Sequence, residues 1–289
     1  MPATLLMGKP IADKINEQIK KDLAELQEKN GMAPKLVSVL VGDDPASKSY
    51  SGRQKKSADA IGIKYELHEF PDDTGEEKLL DFIMGLNNDS SVNGIIVQMP
   101  LPKSIDEHKI QSAIAIEKDI EGITPASMGL IVYDKPRLCP CTALSAVKII
   151  ESVGSDIFGK NLTVVGRSAI VGKPIALLML QRKYSSTVTI CHTGTAKVGT
   201  LPEHVGNADI LVVAAGSPEL VKGEWVKEGS IVIDVGFNMV NGKTVGDVEF
   251  DVAKERAGYI TPVPGGVGPL TVAILLQNTI EATKWQLEN

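Results

Sequence analysis

The sequence predicts an α/β protein built from two parallel-sheet domains. Short apolar runs alternate with helical stretches twice along the chain, once before residue 143 and once after. Most of those runs stop at a glycine or proline. A length of 289 residues is also more than one domain usually needs.

The elements follow in order. Residues 11–29 place Ile11, Ile15, Ile19, Leu23 and Leu26 at three- and four-residue steps, which predicts an amphipathic helix. KLVSVLVG (35–42) reads as a buried strand, 46–60 as a helix, 63–70 as a strand and 75–88 as a helix. NGIIVQMP (93–100) reads as a strand halted by proline. A second alternation opens with a helix at 144–153. NLTVVG (161–166), TVTIC (187–191), DILVVAAG (209–216) and SIVIDVG (230–236) then read as short apolar strands, with a helix over Ile175–Leu180. The last stretch, GPLTVAILLQNTIEATKW, has helical spacing and is expected to pack back on the first domain. The predicted division is 1–143 with 265–289, and 144–264. In parallel sheets ligands gather at the carboxyl ends of the strands, here Gly42–Tyr50 and Gln98–Pro102.

Composition narrows the function classes. Hydrophobic residues at 43% and charged residues at 23% suit a globular protein. A net charge of −6 argues against a nucleic-acid partner, which needs a basic stripe. No apolar run approaches the roughly 20 residues of a membrane span, and no basic-then-apolar leader opens the chain. Cys139, Cys141 and Cys191 cannot all pair within one chain, and no Cys/His cluster has zinc spacing, so no metal is expected. A reducing cytoplasm is the simplest home.

VVGRSAIVGKP (164–174) joins a strand to a helix through Gly166 and Gly172, with Pro174 near the first helical turn. Amides at such a helix start suit a pyrophosphate. Gly166 would give a tight exit and Gly172 a close approach. The spacing is not G-x-G-x-x-G, and an ordinary strand–turn–helix link reads equally well from the loop alone. The strands that follow favour a Rossmann-like nucleotide domain. An enzyme preferring NAD usually carries an acid at the end of the second strand. CHTGT (191–195) has none, and Arg167 sits in the loop, so NADP is the expected cofactor.

Eight segments together resemble one family, the methylenetetrahydrofolate dehydrogenase/methenyltetrahydrofolate cyclohydrolases. They are VGDDPASKSY (41–50), GIIVQMPLP (94–102), EKDIEG (117–122), PCTA (140–143), VGRSAIVGKP (165–174), DVGFN (234–238), GDVEF (246–250) and TPVPGGVGPLTVAILLQNT (261–279). The resemblance implies a folate substrate in a cleft between the domains and a homodimer formed through the NADP-binding one. It implies Tyr50, Gln54, Gln98 and Asp119 as the catalytic group, with Tyr50 stacking on the substrate and Asp119 holding the pterin. Ser47, Val97, Pro100, Leu101, Pro264, Gly265 and Gly266 would complete the substrate site. NADP would meet Gly166, Arg167, Ser168, Val171, Gly172, Pro174, His192, Thr193, Ala215, Gly216, Val235, Gly236 and Thr279. Taken singly, Tyr50 also suits packing, Gln98 a strand-end cap and Asp119 a turn.

One position departs from the family pattern. In YSGRQKK (50–56), the residue four after the tyrosine is normally lysine, on the same helix face; here it is Gln54. Lys55 is turned by roughly 100° from that face and Lys56 by about twice that. Ala143, Ser145, Ser127 and Met128 depart as well. Hydride loss from a carbon between two nitrogens mainly needs orientation. Hydrolysis of the resulting cation needs a proton-exchanging group, worth roughly 10²–10⁴-fold, and an amide does not titrate. The sequence therefore predicts a dehydrogenase with weak or absent cyclohydrolase activity. Full bifunctionality through a neighbouring lysine or water, a silent binding protein, and a dehydrogenase for small acids or alcohols are the alternatives.

Overall fold

The structure is a computed structural model and describes residues 2–288. In chain order its strands are β1 (Thr4–Leu5), β2 (Lys35–Val41), β3 (Lys64–Phe70), β4 (Gly94–Val97), β5 (Asn161–Val165), β6 (Thr187–Cys191), β7 (Ile210–Val213), β8 (Ile231–Asp234), β9 (Asn238–Val240), β10 (Lys243–Val245) and β11 (Tyr259–Ile260). The helices used below are α1 (Gly8–Asn30), α2 (Pro45–Ile61), α3 (Glu76–Asn88), α4 (Glu107–Ser112), α5 (Pro125–Val132), α6 (Cys141–Ser152), α7 (Gly172–Leu180), α8 (Thr193–Lys197) and, near the C-terminus, α9 (Gly268–Glu288).

The chain forms two compact units. One is Asp13–Cys139 with the chain from Val272; the other is the chain up to Ala12 with Pro140–Thr271. The sequence boundaries at 143 and 265 thus shift by a few residues, and the first twelve residues change sides. The reason is β1, too short to signal itself, which pairs in parallel with β11 and so belongs to the second sheet.

In the first unit β3-β2-β4 make a parallel sheet, with Val37 between Glu66 and Ile95 in register. Val37, Val39, Val41, Ile95 and Val97 pack against Leu79 and Ile83 of α3 and Ile110 of α4 in one buried cluster. β4 ends at Val97, four residues after it was expected to begin and three short of Pro100. α2 starts where Asp44 accepts the Ser47 amide at 2.8 Å and stops at Gly62, whose φ of 101° only glycine adopts freely. The later part of α9 packs in this unit, as the sequence implied: Asn278 donates to the carbonyls of Ile120 (2.7 Å) and Cys139 (3.0 Å), and Lys284 pairs with Asp22.

In the second unit six strands lie in the order β1-β11-β8-β7-β5-β6, all parallel. β5 lies between β6 and β7, so the winding reverses at its carboxyl end, the place where such sheets bind ligands. Val165, Leu211, Val213 and Val232 are buried there. A β9–β10 hairpin, absent from the sequence reading, follows β8.

Candidate active site

Gln54 is no surface residue. It is wholly buried on α2, and its Oε1 accepts from Gln98 Nε2 at 2.8 Å and from the Tyr65 hydroxyl at 3.0 Å. Gln98, just past β4, also donates to Ser38 Oγ at 3.0 Å, so both its amide hydrogens are used. The Gln54 Nε2 has no partner although it is buried. Lys55 pairs with Asp59 at 3.0 Å on the exposed face and Lys48 with Asp43, while Lys56 is exposed on the surface of α2. Burial pushes the Tyr65 phenol up to about 12, which keeps it a neutral donor. Tyr50, one turn before Gln54, is half-buried, with the Arg53 guanidinium 5.6 Å from its ring centre.

The acids of KDIEG divide their work. Asp119 is wholly buried; Oδ1 accepts from the Ile123 amide (3.2 Å), and Oδ2 from the Thr124 amide (2.8 Å) and Ser127 Oγ (2.7 Å). The carboxylate expected to hold a pterin instead ties down the turn into α5. Glu121 is the acid left over. It is half-buried, carries no hydrogen bond among the described residues, and burial plus the Asp119 charge push its carboxyl up to about 8. Its signal in the sequence was only that KDIEG holds two acids.

Other expected substrate residues take structural positions. Ser47 Oγ donates to the Met99 carbonyl at 2.7 Å, tying α2 to the loop that carries Pro100. Val97 and Leu101 lie in the core, while Pro100 is exposed. Pro264, Gly265 and Gly266 lie in the second unit. A Cβ on Gly266 would come within 2.7 Å of the Thr261 Cβ, so that glycine serves the chain's own packing.

In the second unit the expected cofactor residues line the carboxyl ends of four adjacent strands. Gly166 to Val171 follow β5, His192 and Thr193 follow β6, Ala215 and Gly216 follow β7, and Val235 and Gly236 follow β8. Gly166 gives the tight exit expected of it, whereas Gly172 is required by packing within the turn. A Cβ on Gly172 would lie 2.3 Å from the Gly166 carbonyl oxygen, and one on Gly166 would lie 2.1 Å from that of Ala214. Both are demanded by the turn itself, and Gly166 has a φ of 131°. Pro174 is buried in the first turn of α7. Ser168 Oγ accepts the Val171 and Gly172 amides, both at 3.2 Å. His192 Nδ1 accepts the Gly194 amide at 3.0 Å, which leaves the proton of the neutral ring on Nε2. Arg167 is exposed and makes no ion pair among the described residues. Thr279 departs from this group: it is wholly buried on α9 in the first unit and donates to the Leu275 carbonyl.

Two buried acids, neither predicted as a site residue, hold the crevice rim. Asp247 accepts the amides of Ala215 (2.6 Å), Gly216 (2.8 Å) and Ser217 (2.9 Å). Asp234 accepts the amides of Gly236, Asp247 and Val248, and burial pushes its carboxyl up to about 6, those bonds offsetting part of the rise.

Family comparisons settle the lineage. Residues 6–121 match the model described as tetrahydrofolate dehydrogenase/cyclohydrolase, catalytic domain, and residues 140–287 match its NAD(P)-binding domain. The chain belongs to the tetrahydrofolate dehydrogenase/cyclohydrolase family. "Bifunctional protein FolD" of Geotalea uraniireducens is 48% identical over 283 residues, covering 98% of this chain and 99% of that protein. The crystal structure of the bifunctional FolD from Campylobacter jejuni is 39% identical, with a TM-score of 0.93 over 98% of this chain and 99% of that one. The Trypanosoma brucei dehydrogenase-cyclohydrolase, solved with NADP cofactor and an inhibitor, is 36% identical, with a TM-score of 0.92 over 100% of both chains.

Proposed function

We propose that this chain oxidises 5,10-methylenetetrahydrofolate to the methenyl form with NADP and hydrolyses that product to 10-formyltetrahydrofolate. The observation that carries the reading is the buried Gln54–Gln98–Tyr65 cluster on the first sheet, beside a chain whose second sheet ends β6 without an acid. A buried polar cluster with an unfilled donor is what a substrate completes.

NADP supplies the hydride acceptor, and the crevice fits it: Arg167 is free to meet a 2′-phosphate, and no carboxylate at the end of β6 repels one. His192 presents Nε2–H nearby in sequence, and the turn at 166–172 is shaped by its own glycines. On the folate side, Tyr50 offers a ring face and Glu121 offers a carboxyl for the 2-amino-4-oxo edge of the pterin. The methylene carbon lies between two nitrogens whose lone pairs stabilise the cation left by hydride loss, so the side chains need chiefly to orient it.

The bifunctional names of the relatives favour both reactions over the dehydrogenase-only reading that Gln54 suggested. Gln54 itself still favours a second reading in which hydrolysis is slow, because no titrating group occupies its place. We further infer a cytoplasmic homodimer. The edge strand β6 leaves Ile190 40% exposed, with Leu180 at 54% and Val198 at 74% on flanking segments, an apolar margin suited to a second copy.

One progress curve tests the reading. With methylenetetrahydrofolate and NADP⁺, reduced cofactor and methenyl product are followed separately by absorbance. Protein-dependent loss of the methenyl species establishes both activities. Loss only at the uncatalysed rate selects the second reading, and no reduced cofactor at all refutes both.

A further inference from the structure

Tyr65 has been assigned nothing by the family resemblance. It lies on β3, half-buried, eleven residues beyond Gln54. An amide oxygen has two lone pairs, and on Gln54 both are filled, one by the Tyr65 hydroxyl and one by Gln98 Nε2. Turning the Gln54 amide over would set its N–H groups against the Gln98 N–H. Gln98 is itself held by Ser38 Oγ. In this arrangement, with Oε1 taken by the two donors, Nε2 lies on the other side, where it is fully buried and unmatched. A buried donor left without an acceptor costs about 1–3 kcal/mol, so a group kept in that state calls for an acceptor from outside the chain.

We propose that Tyr65 is a positioning residue for the folate reaction, its hydroxyl holding the Gln54 amide so that Nε2 donates to a carbonyl-type oxygen of the bound folate. The proposal rests on the folate reading above. The bond it sets is between neutral groups, so its strength stays constant across the pH range in which the protein is folded. The high phenol pKa, about 12, keeps Tyr65 in the donor state throughout.

The test is a double-mutant cycle on tetrahydrofolate affinity, measured calorimetrically without oxygen, for the wild type, Tyr65→Phe, Gln54→Met and the double variant, with the thermal midpoint of each. Tyr65→Phe is expected to weaken binding about three- to tenfold, the worth of one neutral hydrogen bond. In the Gln54→Met background the same change should alter affinity less than twofold. A merely structural Tyr65 would weaken both backgrounds alike, and that outcome, or an unchanged affinity in the first, overturns the proposal.

Should Tyr65→Phe not fold, 3,5-difluorotyrosine at position 65 keeps the ring and hydroxyl but ionises at lower pH. Binding should then weaken at alkaline pH relative to the wild type, and equal alkaline behaviour overturns the proposal. A wild-type chain that binds folate but shows no coupling removes this inference alone. One that neither binds nor oxidises folates removes the functional reading beneath it.

Discussion

Glu121 should make the proposed folate binding pH-dependent, in a direction set by its raised carboxyl. Its carboxyl sits at about 8, well above its ordinary 4.5, because burial and the Asp119 charge oppose ionisation. The pterin edge presents two N–H donors, which a carboxylate accepts and a protonated acid does not match. At pH 7 about one molecule in ten carries the charged form, and at pH 6 about one in a hundred. Apparent affinity is the intrinsic affinity scaled by that fraction, so it should tighten about tenfold from pH 6.5 to 7.5 and level off above 8. Calorimetric titration with tetrahydrofolate at pH 6.5, 7.5 and 8.5, in buffers of differing ionisation heat, reads both the affinity and the proton released. Nearly one proton should leave per folate bound at pH 6.5. Glu121→Gln should bind more weakly at pH 8.5 and lose the slope. A wild-type affinity that stays level across this range, with no proton released, would refute the reasoning. Stability follows the same linkage. The folded chain keeps a proton that the unfolded chain gives up between about 4.5 and 8, so this contribution is complete below 4.5 and lost as pH rises through 8.

Three other outcomes are expected. Gly166→Ala should cost more than about 3 kcal/mol, or prevent folding, because its Cβ meets a carbonyl at 2.1 Å with φ at 131°, whereas Gly85→Ala on the exposed face of α3 meets nothing within 4 Å and should gain about 0.5–1 kcal/mol; denaturant midpoints compare them. Lys118→Met removes an ammonium that donates to the carbonyls of Leu86 (2.9 Å), Asn87 (2.8 Å) and Asp89 (2.8 Å) at the end of α3, and should cost about 2–4 kcal/mol by urea unfolding. Burial would raise the Glu151 carboxyl, but bonds from Lys183, Lys148 and Tyr184 hold it at about 2, so its stabilisation is present above 4.5 and drains away towards pH 2. Glu151→Gln should flatten that acid limb in thermal melts recorded from pH 5 to 2.

What the sequence exposed and what it hid divide along physical lines. The main strands and helices were legible, since apolar runs and three- and four-residue spacing report burial directly. β1, β11 and the β9–β10 hairpin were not, being two or three residues each. Gln54 and Gln98 were legible as a pair through the family pattern, and the structure brings them to 2.8 Å. Tyr65 was hidden because its partner lies on α2 and its own strand gives no chemical cue. The bonds of Asp119 to its own turn were hidden, because only three-dimensional bonding shows which carboxylate is already engaged. Asp234 and Asp247 lay inside the recognised DVGFN and GDVEF segments, yet their work of gathering backbone amides leaves no trace in composition.

β1 and the later part of α9 also govern how the protein is made. The sheet that opens at Thr4 is not finished until Tyr259 and Ile260 have left the ribosome, and the unit begun at Asp13 waits for the chain after Val272. Each unit encloses part of the other's sequence, so neither is complete as a nascent piece. A ribosome stalled near residue 200 would hold the β3-β2-β4 sheet without its last helix, and β5 and β6 without β7, β8, β11 or a mate for β1. The chain thus spends most of its synthesis with apolar edges unpaired, and chaperone demand should peak shortly before release.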